Sequence, residues 1–520
     1  MLSNNETLSP VRFLDRAATA FGERTAVIDG DRSFTYAELA GRAAALTGVL
    51  AGRGISPGDR VAALCTNSHV MLELHFGVPM RGAVLVSLNI RLSEPELAYI
   101  LMHSGATLLV ATEEFAELAA RLSTKLDVPL LRADGADSDY ERELDAAEPR
   151  LVAVDDERAL LAINYTSGTT GRPKGVMYHH RGAYLQSLAM AYQVGLGPGS
   201  TYLWTLPMFH CNGWCFPWAV TAAGGTHVAL RAVDPQEIWQ RLRGGVTHFS
   251  AAPAVLTMVA EHASAGDGPL TQPVAVSAGG APPSPTLLGR LEALNMSVTH
   301  LYGLTETFGP VMVNQWQPEW DALDEQARAT LKARQGVPNV LASSARVVDV
   351  DGRDIEPDGQ SVGELVIRGN NLMLGYYRDE VATAAASLDG WFRTGDLAAL
   401  HPDGYVEIRD RLKDVIISGG ENIASVEIEQ VLDSHPAIVE SAVVGMPDER
   451  WGEVPVAFVT TRVGVSLTEA EVIEFVRERL ARFKAPKRVE FLRLPRTSTG
   501  KIQKNLLRAK VQDGAGHADA

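Results

Sequence analysis

Cysteine is scarce in this chain: Cys65, Cys211 and Cys215 are the only three in 520 residues, and no two form a C-x-x-C pair. A disulfide framework is not expected, and a reducing, cytoplasmic setting fits. Long apolar runs are missing too. No uninterrupted stretch approaches the ~18 residues of a spanning helix, so stable membrane insertion is not expected. The first ten residues, M-L-S-N-N-E-T-L-S-P, offer neither a basic start nor an apolar core, and no secretory leader is read there. Positive charge is in deficit, with a formal net charge of −16. That disfavours nonspecific binding to nucleic acid or to an anionic membrane surface. Internal repeats and long low-complexity segments are absent, and so is the G-x-x-x-x-G-K-[ST] loop of ordinary kinases and ATPases.

The remaining composition, 46% hydrophobic and 21% charged, is that of a soluble globular protein. At this length one core is not enough, so two or more domains are expected. Over the first 160 residues, buried-strand patterns at 60–65, 83–88 and 107–111 alternate with helical ones. Thr35 and Glu38 stand in capping-box register at the start of one helix. Such alternation implies βαβ units and a largely parallel sheet, continuing to about Val313. Short β-rich runs over 363–408 suggest a small β subdomain. Beyond residue 411 the pattern restarts: strand 415–417, helix 425–433, strands 438–445 and 454–460, helix 468–480. The fold class read from this is a large α/β domain over 1–411, with βαβ-rich sheets and a small β subdomain, followed by a smaller α+β domain over 412–520.

The most informative stretch is Y-T-S-G-T-T-G-R-P-K-G-V at 165–176, preceded by the apolar strand pattern L-L-A-I. Small residues in succession let backbone N–H groups and hydroxyls converge on anionic oxygens. Thr166, Ser167, Gly168, Thr169, Thr170 and Gly171 therefore form a candidate polyphosphate cradle, and Lys174 adds a positive charge beside it.

This stretch resembles the signature of the adenylate-forming superfamily, which includes acyl-CoA synthetases, aryl-CoA ligases, nonribosomal adenylation domains and firefly luciferase. Four more segments match in the family's order: Y-G-L-T-E-T at 302–307, W-F-R-T-G-D-L at 391–397, R-L-K-D-V-I-I-S-G-G-E-N-I at 411–423 and R-T-S-T-G-K-I-Q-K at 496–504. The resemblance covers roughly residues 30 to 508. It implies an AMP-forming acid–CoA ligase that uses ATP, Mg²⁺ and coenzyme A.

Carried over position by position, the resemblance makes Tyr302 the aromatic that stacks on adenine, with Gly303 beside it. Thr305 contacts the α-phosphate, and Glu306 with Thr170 holds Mg²⁺, a task for hard oxygen ligands. Gly279, Gly280 and Ala281 lie between adenine and acyl group. Asp396 accepts from the ribose hydroxyls, Arg411 contacts ribose and phosphate, and Lys413 is the hinge about which the small domain rotates between half-reactions. Ser418, Gly419, Gly420 and Glu421 line the passage for the pantetheine arm. Lys501 is the catalytic cation that brings the substrate carboxylate and the α-phosphate together, and its positioned charge would stabilise the transition state.

For the acyl pocket the resemblance points to Trp204, Met208, His210, Cys211, Asn212, Trp214, Phe216, Ser277, Gly279, Gly303, Leu304 and Phe308. His210 borders the carboxylate. The apolar, aromatic lining suits a hydrophobic acid, either medium-chain, aryl or a specialised metabolite. No Asp or Glu lies between Met208 and Phe216, which disfavours an α-amino acid substrate. An acyl-AMP ligase serving an acyl carrier protein is the alternative; the short path from Gly404 to Asp414 favours CoA. A nucleotide-binding protein without turnover would lack Lys501 or Glu306, yet both are present. The oligomeric state, a homodimer included, is left open.

Overall fold

A computed structural model describes residues 5–135, 138–166, 172–281, 283–419, 421–448, 450–462, 464–496 and 502–515. The chain divides into two compact units. One comprises Met1–Ala345 and Ile367–Phe392, the other Arg346–Val366 and Arg393–Ala520.

The first unit is built on two large sheets. In the seven-stranded sheet the order is Gly375–Tyr376, Lys174–His179, Leu160–Thr166, Val84–Ser87, Arg60–Leu64, Ala106–Thr112 and Leu130–Ala133. Its pairs are parallel except those made by Lys174–His179. Strands such as V-L-V-S, buried at every position, read as continuous apolar runs because a parallel sheet is covered on both faces. The nine-stranded sheet has a parallel centre of Met296–Leu304, Val274–Ala278, His248–Ala251, Thr201–Leu203, Thr226–Val228 and Thr25–Asp29. Antiparallel strands close it, Gly309–Val313 and Val337–Pro338 at one edge and Arg32–Thr35 at the other.

The helix His69–Met80 is buried at all twelve positions, as expected of H-V-M-L-E-L-H-F-G-V-P-M, which has no polar face. The helix Tyr36–Gly52 packs against it, and Gly77 is the contact point. A Cβ there would meet Leu46 Cδ2 at 2.6 Å. The capping box expected at Thr35 is formed, with Glu38 N donating to Thr35 Oγ1 at 3.2 Å and Thr35 N to Glu38 Oε2 at 2.7 Å.

This topology gathers several of the candidate residues. The parallel strands Thr201–Leu203, His248–Ala251, Val274–Ala278 and Met296–Leu304 are neighbours, so their C-terminal ends lie along one edge. Three of the four lead directly into the residues singled out from sequence: Trp204 to Trp214, Gly279 to Ala281, and Tyr302 to Phe308. Ligands of open α/β sheets sit at such ends.

The strand Trp391–Leu400, which enters the second unit at Arg393, pairs antiparallel with Val406–Arg411 and brings Asp396 opposite Arg411. A further sheet runs Glu421–Ile423, Ile416–Ser418, Gly452–Thr461, Ile438–Asp448, with Arg488–Phe491 parallel to Gly452–Thr461. The helices Ser425–Asp433 and Glu469–Arg477 bury Ile428, Leu432, Val472 and Val476 in one core with Ile416, Val443 and Val459. Strands and helices mix here as the pattern beyond residue 411 implies, while the compact unit also takes in Arg346–Val366 and the chain from Arg393. The Asp410 carboxylate fastens the start of the first helix, accepting from Ser425 N at 2.5 Å and Ser425 Oγ at 2.7 Å.

Candidate active site

The strand Leu160–Thr166, which leads into the candidate phosphate cradle, is paired antiparallel with Lys174–His179, Thr166 lying opposite Lys174. Ser167, Gly168, Thr169, Thr170 and Gly171 lie outside the described residues. The Lys174 ammonium sits 4.9 Å from the centre of the Tyr376 ring. Tyr376 in turn donates its phenol to Glu306 Oε1 at 2.8 Å. Burial lifts the Tyr376 hydroxyl well above its ordinary pKa, and the adjacent Glu306 charge adds to this, so the phenol stays protonated and remains a donor.

The segment from Tyr302 to Gly309 is a tight reversal between antiparallel strands. Gly303 is required there, because a Cβ would fall 2.1 Å from the Gly309 carbonyl oxygen. Thr307 Oγ1 accepts from Leu304 N at 2.8 Å and donates to Gly309 O at 2.7 Å, which closes the turn. The turn presents Thr305 and Glu306, both half-buried like Tyr302. Tyr178 braces it from behind: its hydroxyl donates to Thr305 O at 2.6 Å, and its ring stacks on Phe308 at 3.7 Å and 11°. Cys211 Sγ lies 3.6 Å from Thr305 Oγ1 and 3.8 Å from His210 Nε2.

Beyond His210 the backbone does something the sequence does not announce. Cys211, Asn212, Gly213, Trp214 and Cys215 have φ of 43°, 40°, 54°, 54° and 66°, a left-handed turn in which only one residue is glycine. At about 1–2 kcal/mol for each non-glycine residue, the cost is on the order of 4–8 kcal/mol. The surroundings hold it in place. Asn212 N donates to Asn164 Oδ1 at 2.6 Å, and Asn212 Nδ2 to His75 Nε2 at 3.1 Å. Burial pulls His75 down to about 4, so its ring is neutral at pH 7, with Nδ1–H given to Met71 O at 2.7 Å and Nε2 left to accept.

The turn also seats Trp214. A Cβ on Gly279 would meet its indole at 2.6 Å, and one on Gly309 would meet its backbone at 3.1 Å, so the side chain fills the gap between two strand ends. Met208 and Phe216 are buried in the same apolar cluster. Trp204 is fully enclosed, its Nε1–H given to His227 Nδ1 at 3.1 Å and its ring against Gly213. Ser277 is buried in its strand, opposite Thr299.

In the second unit Asp396 is 4% exposed, with Arg411 Nε 3.4 Å from its Oδ1. Partial enclosure draws Lys413 down to about 8, and the neighbouring Arg411 and Arg508 charges add to that. Ser418 pairs with Gly452 and, across the hairpin, with Glu421. Gly419 has φ 63° and donates its N–H to Trp451 O at 2.7 Å, and a Cβ on it would strike the Trp451 ring at 2.8 Å. Gly420 and Lys501 lie outside the described residues; Lys501 directly precedes Ile502, which bridges to Arg496.

Residues 14–377 match the model of the AMP-binding enzyme family, and residues 427–501 that of the AMP-binding enzyme C-terminal domain. The chain belongs to the AMP-binding enzyme family. It is similar to a peroxisomal acetate/butyrate–CoA ligase of Arabidopsis thaliana, at 42% identity over 98% of this chain and 96% of that one. It is also similar to a 2-methylpropanoate–CoA ligase of Humulus lupulus, at 42% identity over 100% of this chain and 97% of the relative. Among solved structures, ATP-bound MatB from Rhodopseudomonas palustris superposes with a TM-score of 0.86 at 29% identity, covering 97% and 99% of the two chains.

Within this AMP-binding enzyme, the donor set at Glu306 suits Mg²⁺. Among the described residues no three His, Cys, Asp or Glu side chains gather as a metal cage. A single carboxylate, here held at one oxygen by the Tyr376 phenol, fits Mg²⁺ if phosphates and water supply the remaining ligands. Sequence reasoning missed Asn164, Tyr178 and Tyr376. Asn164 could have been found as the one amide within the apolar strand L-L-A-I-N-Y-T. The two tyrosines carry no such mark.

Proposed function

We infer that the protein is an AMP-forming carboxylic acid–CoA ligase. A carboxylate oxygen attacks the α-phosphorus of ATP, the bond to the bridging oxygen breaks, and pyrophosphate leaves. The CoA sulfur then attacks the acyl carbon, and AMP departs with its oxygen. The observation that carries this reading is the Thr305–Glu306 turn at a parallel strand end, linked through Tyr376 to Lys174 of the phosphate-cradle hairpin.

In this reading Tyr302 stacks on adenine. Gly279, Gly280 and Ala281 let the backbone approach nucleotide and acyl group closely. Asp396 accepts from the ribose hydroxyls and Arg411 supports the phosphates. Thr305 donates to the α-phosphate, the cradle 166–171 with Lys174 takes the remaining phosphate oxygens, and His210 borders the substrate carboxylate. Glu306 and Thr170 would hold Mg²⁺, which when bound neutralises phosphate charge. Lys501 bridges two anions that otherwise repel, the dominant electrostatic task of the first half-reaction. For the second, the segments 1–411 and 412–520 reorient about Lys413, and Ser418, Gly419, Gly420 and Glu421 line the passage for the pantetheine arm.

The acid we propose is a short aliphatic one of about two to five carbons. Its support is the Trp214 indole, which crowds Gly279, the position where this reading puts the acyl group. The acids named for the two relatives, acetate, butyrate and 2-methylpropanoate, fall in the same range. CoA is favoured over a carrier protein because the path from Val406–Arg411 to Ile416–Ser418 is only four residues, with no insertion between them. A cytoplasmic location is also proposed, supported by three buried thiols that form no disulfide. No helix among the described residues is long and apolar enough to cross a membrane.

The test is pyrophosphate release over a panel of aliphatic, aromatic and amino acids, each with and without CoA. Release with short aliphatic acids and a CoA-dependent thioester are expected. Release without any CoA thioester would move the protein to the carrier-loading class, and no release with any acid would refute the reading.

A further inference from the structure

Lys174 opens a strand of the seven-stranded sheet and Glu306 follows one of the nine-stranded sheet; their charges are opposite, yet no ion pair joins them among the described residues. What stands at both is one side chain. The ammonium of Lys174 faces the ring of Tyr376 at 4.9 Å, and the phenol tip of the same ring donates to Glu306 Oε1 at 2.8 Å. An ammonium within about 6 Å of an aromatic face is attracted to it without being neutralised. A phenol has a single proton to donate, so it occupies one carboxylate oxygen and does not itself engage the other, which takes no further hydrogen bond among the described residues.

The backbone is arranged for this placement. The two-residue strand Gly375–Tyr376 pairs with Lys174–His179 so that Tyr376 lies opposite Val176. Val176 and Lys174 are two residues apart and share a face of the sheet, which brings the tyrosine ring diagonally over the lysine. Tyr376 N donates to Thr383 Oγ1 at 2.9 Å, and Gly375 must be glycine, since at its φ of 145° a Cβ would meet Thr383 Cγ2 at 2.7 Å. Met373 N donates to Glu306 O at 2.9 Å, tying the same segment to the Glu306 turn from its backbone side.

We propose that Tyr376 is a positioning residue that keeps Lys174 and Glu306 from closing on each other, holding the ammonium for phosphate and the carboxylate for the divalent cation. The proposal rests on the reading of Glu306 as the Mg²⁺ ligand. Without the ring, the two charges collapse into an ion pair that uses up both groups. Without only the hydroxyl, the spacing survives but the carboxylate loses the bond that orients it.

The experiment reads metal and nucleotide binding rather than turnover. Mn²⁺ is titrated into the enzyme with a non-hydrolysable α,β-methylene analogue of ATP and no acid, and free Mn²⁺ is followed by its electron paramagnetic resonance signal. Metal-free binding of the analogue is measured alongside. Tyr376→Phe should weaken Mn²⁺ binding by about tenfold, as loss of a partner to a ligating carboxylate does, and leave metal-free binding unchanged. Tyr376→Leu should weaken both. Glu306→Gln separates the premise from the proposal. If it binds Mn²⁺ like the parent, the metal-ligand reading fails. If it loses Mn²⁺ while Tyr376→Phe stays within about twofold of the parent, the positioning role is overturned and the reading stands. Unchanged metal-free binding in Tyr376→Leu would overturn the spacer role.

Discussion

Trp214 offers the sharpest test of how the acyl pocket is bounded. Its indole is 7% exposed and sits where Gly279 and Gly309 leave no room for side chains of their own. Replacing it with alanine opens that space. An eight-carbon acid has four more methylenes than butyrate, and each is worth about 0.8 kcal/mol when buried. The octanoate-to-butyrate ratio of kcat/KM should therefore rise by up to about 3 kcal/mol, on the order of 200-fold. The same change removes a buried aromatic side chain and should cost about 3–5 kcal/mol of stability. A urea melt accompanies the kinetics so that loss of fold is not mistaken for loss of activity, and Trp214→Phe serves as the milder variant. The assay is CoA-dependent thioester formation with acids of two to ten carbons. A folded Trp214→Ala protein that keeps the parent's chain-length profile would refute the pocket assignment.

Two further outcomes follow from the same geometry. Gly303→Ala puts a methyl 2.1 Å from the Gly309 carbonyl oxygen, where backbone must move. It should cost about 1–3 kcal/mol in a urea melt and weaken nucleotide binding measured by calorimetry; a neutral result would mean that the turn is not rigid. Acid should destabilise the first unit early. Burial lowers His75, His180 and His300 to about 4 and His227 to about 3, so all four are neutral in the folded state. The unfolded chain binds protons near its ordinary histidine pKa of about 6.5, so the stabilisation is complete above that value and is lost as pH falls toward 4. Between pH 6 and 5 each histidine should remove about 1 kcal/mol, and urea midpoints that do not move over that interval would contradict the burial.

Much of the fold was legible because its elements obey local rules. The Thr35 cap, the apolar parallel strands and the helix Ser425–Asp433 lie where periodicity and capping chemistry put them. The contiguous motifs were legible for a related reason, since residues such as Tyr302, Thr305 and Glu306 come from one turn. What escaped is made by distant parts of the chain. Tyr376 lies some 200 positions from Lys174 and meets it only through a two-residue strand. In C-N-G-W-C a single glycine hints at positive φ, whereas the other four residues are forced there by Asn164, His75 and the seat of Trp214. Gly419, read as clearance for a passage, also answers to a second demand, the Trp451 ring packed against it.

The central claim is that one cation, Lys501, serves the adenylation step and no other. Lys501→Ala should lose acid-dependent pyrophosphate release by at least about 100-fold, as removal of one preorganised electrostatic donor does, while still converting supplied acyl-AMP and CoA to thioester at close to the parent rate. Normal pyrophosphate release by the variant, or an equal loss in both half-reactions, would contradict it.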